Sequence, residues 1–179
     1  MPYQLTHSQR GAALIMTLLF LMVLTVLAVS GAKNTTVQEK MSGSVRDLNV
    51  AFNAAESGLT AGEVWLAQQS IFPVPTGDGT SGVWDYNSVD PTTTNSTGWW
   101  AEPSRDTSWW QSNSTELTTL SGVAEGPRYV VEEIDFVPDS LVQGVNNPPG
   151  RYFHRVTARG WGGNDKSKAM VQSHYVSRR

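Results

Sequence analysis

Hydrophobic and polar positions follow three successive rhythms along the chain. From Ala12 to Ala32 the sequence carries no charge, with Arg10 before the run and Lys33 after it. As a helix this segment would span about 31 Å, which matches a hydrocarbon core of ~30 Å. A helix buried in a soluble core is the competing reading; uncharged runs of this length favour the membrane. From residue 33 to 69 apolar positions recur at helical spacing: Val37, Met41, Val45, Leu48, Phe52, Ala55, Leu59 and Leu66, with Gly62 filling the turn between the last two. They form one stripe, and Glu39, Lys40, Arg46, Asp47, Asn49, Asn53, Glu56 and Glu63 form a polar face. No proline occurs from Ala12 to Phe72. One helix from Ala12 to about Gln69, roughly 87 Å long, is therefore predicted, with Ser30-Gly31 as a candidate bend where it leaves the membrane. Its outer stripe needs a domain to cover it.

The third rhythm is alternation, over residues 128–179. Arg128–Phe136 is rich in Tyr, Val and Ile. Tyr152–Trp161 places Phe153, Arg155, Thr157 and Arg159 on one face and Tyr152, His154, Val156 and Ala158 on the other. Ala169–Val176 is the last strand, Pro148-Pro149-Gly150 turns the first strand toward the second, and Gly160–Asp165 connects the second to the third. The fold class is α+β: one long amino-terminal helix packed by its stripe on a carboxy-terminal antiparallel sheet. Glycines at 58 and 62 share a helix face with Ala54 and Ala55, which reads either as close packing on a sheet or neighbouring helix or as drift.

Between helix and sheet, residues 70–127 change character. Pro73, Pro75 and Gly77-Asp78-Gly79 end the helix and open an irregular region rich in Ser, Thr, Asn and Gly. It holds Trp84, Trp99, Trp100, Trp109 and Trp110. One reading is that these rings pin the excursion to the sheet and helix. Another makes them a contact patch, because Trp is enriched in interface hot spots; sugar stacking is a third.

Composition narrows the function classes. The formal net charge is −3 over 179 residues, with 13 Lys and Arg scattered along the chain, so there is no basic footprint for nucleic acid. There is no cysteine, hence no disulfide framework, thiolate metal site or thiol nucleophile. Asp78, Asp85 and Asp90 lack calcium-loop spacing, and no phosphate loop, dinucleotide fingerprint or nucleophile elbow occurs. His154 and His174, on neighbouring strands, make at most a weak zinc pair; His7 lies before the apolar run. Asp47 and Glu56, an acid/base pair on paper, read better as capping or solvated groups. No cofactor or metal is expected, and the chain reads as a non-enzyme. Asn95-Ser96-Thr97 and Asn113-Ser114-Thr115 match the glycosylation sequon, a pattern frequent in such a composition.

The flank of the apolar run is more specific. Arg10-Gly11 followed by Ala12-Ala13-Leu14-Ile15 resembles the type IV prepilin signal. The resemblance implies a leader at 1–11, cleavage between Gly11 and Ala12 by prepilin peptidase, N-methylation of Ala12, and a membrane half at 12–32. The stretch Arg46-Asp47, Ala51-Phe52, Ala54-Ala55-Glu56 is similar to minor pilins of the PilX family, as are Gln38–Gly43 before it and Ala169–Tyr175 at the end. That family implies a pilin-like fold and a minor pilin of type IV pilus assembly, working in a priming tip complex. Its expected partners are other minor pilins, the major pilin, the inner-membrane assembly platform and a tip adhesin. The expected location is the inner membrane, amino terminus cytoplasmic and head periplasmic, and then the pilus tip. Two departures stand out. Major pilins carry Glu at the fifth mature position, where this chain has Met16, and many close a loop with a disulfide. A missing Glu needs no compensation if no subunit lies ahead, which suggests a place at or near the tip. A minor pseudopilin of type II secretion and a membrane-anchored periplasmic binding protein are the alternatives.

Overall fold

The computed structural model describes residues 10–118, 120–139 and 149–178. The expected leader before Arg10 and the Pro148 part of the expected turn lie outside them. Helix α1 runs Arg10–Gln68; the backbone stays helical through the candidate bend at Ser30-Gly31. The chain divides into two compact units, one ending at Val45 and one beginning at Arg46.

In the first unit the described part is helix α1 alone, and every residue from Gly11 to Val45 is exposed. This helix is long and apolar enough to cross a membrane. Thr17 and Thr25 turn their hydroxyls back onto the carbonyls of Leu14 and Met22, at 2.9 and 2.8 Å. Both polar groups are thereby satisfied within the helix, as a lipid setting requires.

The second unit is built on a four-stranded antiparallel sheet in the order β1-β2-β3-β4. The strands are β1 (Thr115–Glu116), β2 (Arg128–Pro138), β3 (Gly150–Trp161) and β4 (Lys168–Arg178). The three long strands lie where alternation predicts them, each extended by one to three residues at its ends. The 70–127 stretch is less irregular than its composition suggests. It contains β1, a 3-10 turn at Trp99–Ala101 and helix α2 (Thr107–Asn113). Asp106 caps α2 by accepting from the Trp109 amide at 2.9 Å, a helix start that Asp followed by Thr-Ser signals.

One face of the sheet receives the carboxy-terminal part of α1. Leu66, Phe72, Val83, Tyr129, Val131, Val156 and Ala158 form the core there. The helix presents Ala51, Ala54, Ala55, Gly58, Gly62 and Leu66 as its buried stripe. The expected stripe holds from Ala55 on, with Ala55, Gly62 and Leu66 buried and Leu59 packed against the core, and is corrected before it: Val37, Met41, Val45, Leu48 and Phe52 are exposed, Phe52 at 46%, and Ala51 and Ala54 are buried instead. The reason is distance. At Gly160 a side chain would strike backbone atoms of Ala51, Ala54 and Ala55, and at Gly62 it would come within 2.7 Å of Val156 Cγ1. The backbones approach so closely that only small residues fit between them, which settles Gly58 and Gly62 as packing positions against the sheet. The other sheet face carries a second core of Trp84, Val89, Trp99, Trp110, Val130 and Trp161.

Candidate functional site

The residues singled out by the sequence fall into three places. Gly11, Ala12 and Met16 sit in the first turns of α1, all exposed, Met16 at 71%. A side chain at Gly11 would meet nothing within 4 Å. Nothing in the described fold requires glycine there, so any demand for it is set by something that reads the chain from outside.

The second place is the Arg46–Glu56 stretch. Asp47 accepts a hydrogen bond from the Gly163 amide at 2.6 Å and another from the Asn164 side-chain amide. It thus ties α1 to the β3–β4 connection across 116 residues of sequence. Side chains at Gly162 or Gly163 would run into that carboxylate, at 2.8 and 3.1 Å. Hydrogen bonds to charged groups contribute about 1.5–3 kcal/mol each, so Asp47 is a fastener. Glu56 is exposed and the residues between supply the small stripe; Asp47 and Glu56 form no acid/base pair. Further along α1, Glu63 accepts from the Ser173 hydroxyl of β4 at 2.6 Å. The motif that carries the family resemblance is therefore the seat of the helix on the sheet.

The third place is the tryptophan cluster. Trp110 is 0% and Trp99 3% exposed, and they stack with centroids 5.7 Å apart. Trp109 sits edge-on to both, at 5.8 and 5.7 Å, and lies 5.9 Å from Trp84. Arg105 lies over Trp109 at 4.4 Å, and its guanidinium donates to the Val89 carbonyl at 2.9 and 2.6 Å. Arg159 of β3 lies over Trp161 at 4.9 Å and Trp110 at 5.7 Å. Trp84 bridges the edge of β2: its amide donates to Val131 at 2.8 Å and its carbonyl accepts from Glu133 at 2.9 Å. Burying a Trp removes ~150–250 Å² of surface, several kcal/mol at ~25 cal/mol/Å². That is how a segment so rich in Ser, Thr and Gly holds a fixed course. Four of the five rings are thus core or half-buried, and Trp100, at 39%, keeps the largest exposed surface. A contact patch on this face would be led by Trp100.

Arg155 and Glu132 form a bidentate pair on the same face, at 2.9 and 2.7 Å, with Glu132 wholly buried. The hydrogen bonds that Arg155 donates to Glu132 hold the Arg155 pKa above its ordinary value, and burial lowers that of Arg159. Pattern reading misses both arginines, because charged residues alternating with apolar ones look solvent-facing. Trp161, two positions beyond Arg159 on the same face, is the signal that this face is covered. The histidines do not converge: His154 pairs in register with Tyr175, and His174 with Arg155, so they project from opposite faces. Among the described residues no three His, Asp or Glu side chains gather as a metal set. At the two sequons, the Asn95 amide donates to Glu102 at 2.5 Å and the Asn113 amide to the Trp109 carbonyl at 2.9 Å.

Comparison with known families covers nearly the whole chain. Residues 10–60 match the family described as PilX N-terminal, and residues 53–177 match the one described as type IV pilus assembly protein PilX C-term. No curated protein and no solved structure matches the chain.

Proposed function

The chain belongs to the PilX family of type IV pilus assembly proteins, and from that premise we propose that it is a minor pilin that helps prime pilus assembly from a tip complex. The observation that carries this reading is that the family match runs through the helix and on to residue 177, while α1 opens with a segment apolar enough to cross a membrane. In this reading the protein is stored in the inner membrane with its head outside. Its partners are other minor pilins, the major pilin, the assembly platform and a tip adhesin. Prepilin peptidase cuts between Gly11 and Ala12, and Ala12 is then N-methylated. The exposed residues Val37, Met41, Val45, Leu48 and Phe52 are apolar surface that a neighbouring helix in the fibre would cover.

Mass spectrometry of the mature protein from the membrane fraction tests the processing step directly. The expected amino-terminal residue is N-methylated Ala12. An intact Met1 would remove the chain from the prepilin export route and with it the pilin reading.

Met16 carries the proposal of a tip position. An unpaired carboxylate in an apolar run is costly, up to roughly 2.5–3.5 kcal/mol at the helix centre, and a subunit with nothing ahead of it has no amine to pair with. Met16→Glu is therefore expected to reduce the number of pili per cell when it replaces the wild-type copy. Unchanged piliation would place another subunit ahead of this one.

A further inference from the structure

A polar pocket of about 220 Å³ opens where three distant segments meet. Its walls are the turn at Asp78–Gly82, the end of α2 with the start of β1, and β2 at Tyr129–Val131. Trp84 closes one side. We propose that this pocket binds one sugar ring.

The lining selects the ligand by exclusion and by fit. Among the described residues Asp78 is its one charged side chain, and no Lys, Arg or His lines it, so an anion has no counter-charge there. A lone carboxylate does not make a metal site. An apolar ligand would strip water from the hydroxyls and amide of Thr80, Asn113, Thr115 and Tyr129 without replacing their hydrogen bonds. A neutral, hydroxyl-dense molecule replaces those hydrogen bonds group for group. The volume lies below the ~300 Å³ at which drug-sized sites begin, which allows one ring and not a chain of them.

The polar groups are also held in advance. One oxygen of Asp78 accepts from the Thr80 amide at 3.2 Å and hydroxyl at 2.8 Å. Those bonds, with a further one from the Thr76 hydroxyl, keep its pKa below the ordinary carboxylate value and hold the carboxylate in one orientation at the pocket wall. The Asn113 amide donates to Trp109, which fixes the orientation of its carbonyl oxygen. Trp84 is fastened to β2 through its own backbone, and Gly79, at φ +68°, lies under its indole where any side chain would collide. Side chains already fixed lose little entropy when a ligand arrives.

The test uses the full chain, 15N-labelled at the tryptophan indoles, in a zwitterionic detergent free of sugar headgroups. Methyl glycosides of glucose, galactose and mannose, together with N-acetylglucosamine and N-acetylgalactosamine, are titrated to about 50 mM. At least one is expected to shift the Trp84 indole resonance saturably, with a Kd near 1 mM, or about −4 kcal/mol. Asp78→Ala and Asn113→Ala are each expected to weaken that binding tenfold or more while the Trp110 resonance stays in place, reporting an intact core. If no sugar saturates the shift, or if both variants respond as the wild type does, the proposal is overturned.

Discussion

Replacing Gly160 with alanine is expected to lower the stability of the folded head by about 3 kcal/mol, at the upper end of what overpacking usually costs. The new methyl group would land among backbone atoms of Ala51, Ala54 and Ala55, and a helix backbone cannot turn aside as a side chain can. The φ angle at Gly160 is not left-handed, so the penalty is one of space alone. Two other glycines at the same interface supply the scale. At Gly62 a methyl would meet Val156 Cγ1 at 2.7 Å and the Tyr129 ring at 2.9 Å; both can rotate, and the loss should be smaller. At Gly58 the nearest contact is Pro127 Cβ at 3.3 Å, and alanine there gains about 1 kcal/mol of helix propensity, so the change should be close to neutral. Thermal unfolding of the full chain in detergent, followed by near-ultraviolet circular dichroism of the buried tryptophans, gives the order. A midpoint for Gly160→Ala equal to that of Gly58→Ala would mean that α1 is not seated on β3 as described.

The same interface shows what the sequence could and could not convey. Helix, strands and their antiparallel order follow from period and turn chemistry, because a 3.6-residue rhythm and an alternating one cannot be satisfied by the same backbone. The buried face of α1 follows only in part. The spacing rightly selects Ala55, Leu59, Gly62 and Leu66, but it also selects Leu48 and Phe52, where the fold buries Ala51 and Ala54 instead. The deciding quantity is the separation between helix and sheet, and no single segment encodes it. Asp47 illustrates the same limit: its partners Gly163 and Asn164 lie more than a hundred residues away. The tryptophans were legible as a group, but which were core depended on an opposing surface supplied by Arg159 and Trp161 of β3. The pocket at Asp78 was not legible at all, since turn, helix end and strand edge converge only once the second core has formed.

His154 should make this protein acid-sensitive, and His154→Leu should remove that sensitivity. The ring is wholly buried on the helix side of β3, with Phe72 at 4.6 Å and Tyr152 at 6.4 Å between ring centroids. Among the described residues neither nitrogen has a hydrogen-bond partner; the nearest acid is Glu133, with Oε2 at 3.8 Å from Nε2. Burial pushes the His154 pKa down to about 4, against an unfolded value of ~6.5. The native state therefore refuses a proton that the unfolded state accepts. Above the unfolded pKa the residue adds no pH dependence; as pH falls from there toward 4, stability drops by about 3 kcal/mol in all. Glu133 works in the opposite direction: burial first, then Asp85 and Asp135, raise its pKa, so its protonation favours the folded state as pH falls. Because Glu133 touches the histidine, the same comparison made in a Glu133→Gln background, with and without His154→Leu, isolates the histidine. At pH 8 His154→Leu should already be more stable by about 1 kcal/mol, because two unsatisfied buried nitrogens are gone. At pH 4 the gap should widen by the further 3 kcal/mol. Unfolding curves for both proteins at pH 8, 6 and 4 decide the matter: a gap that stays constant across the series would show that the ring is protonated, or hydrated, in the native state.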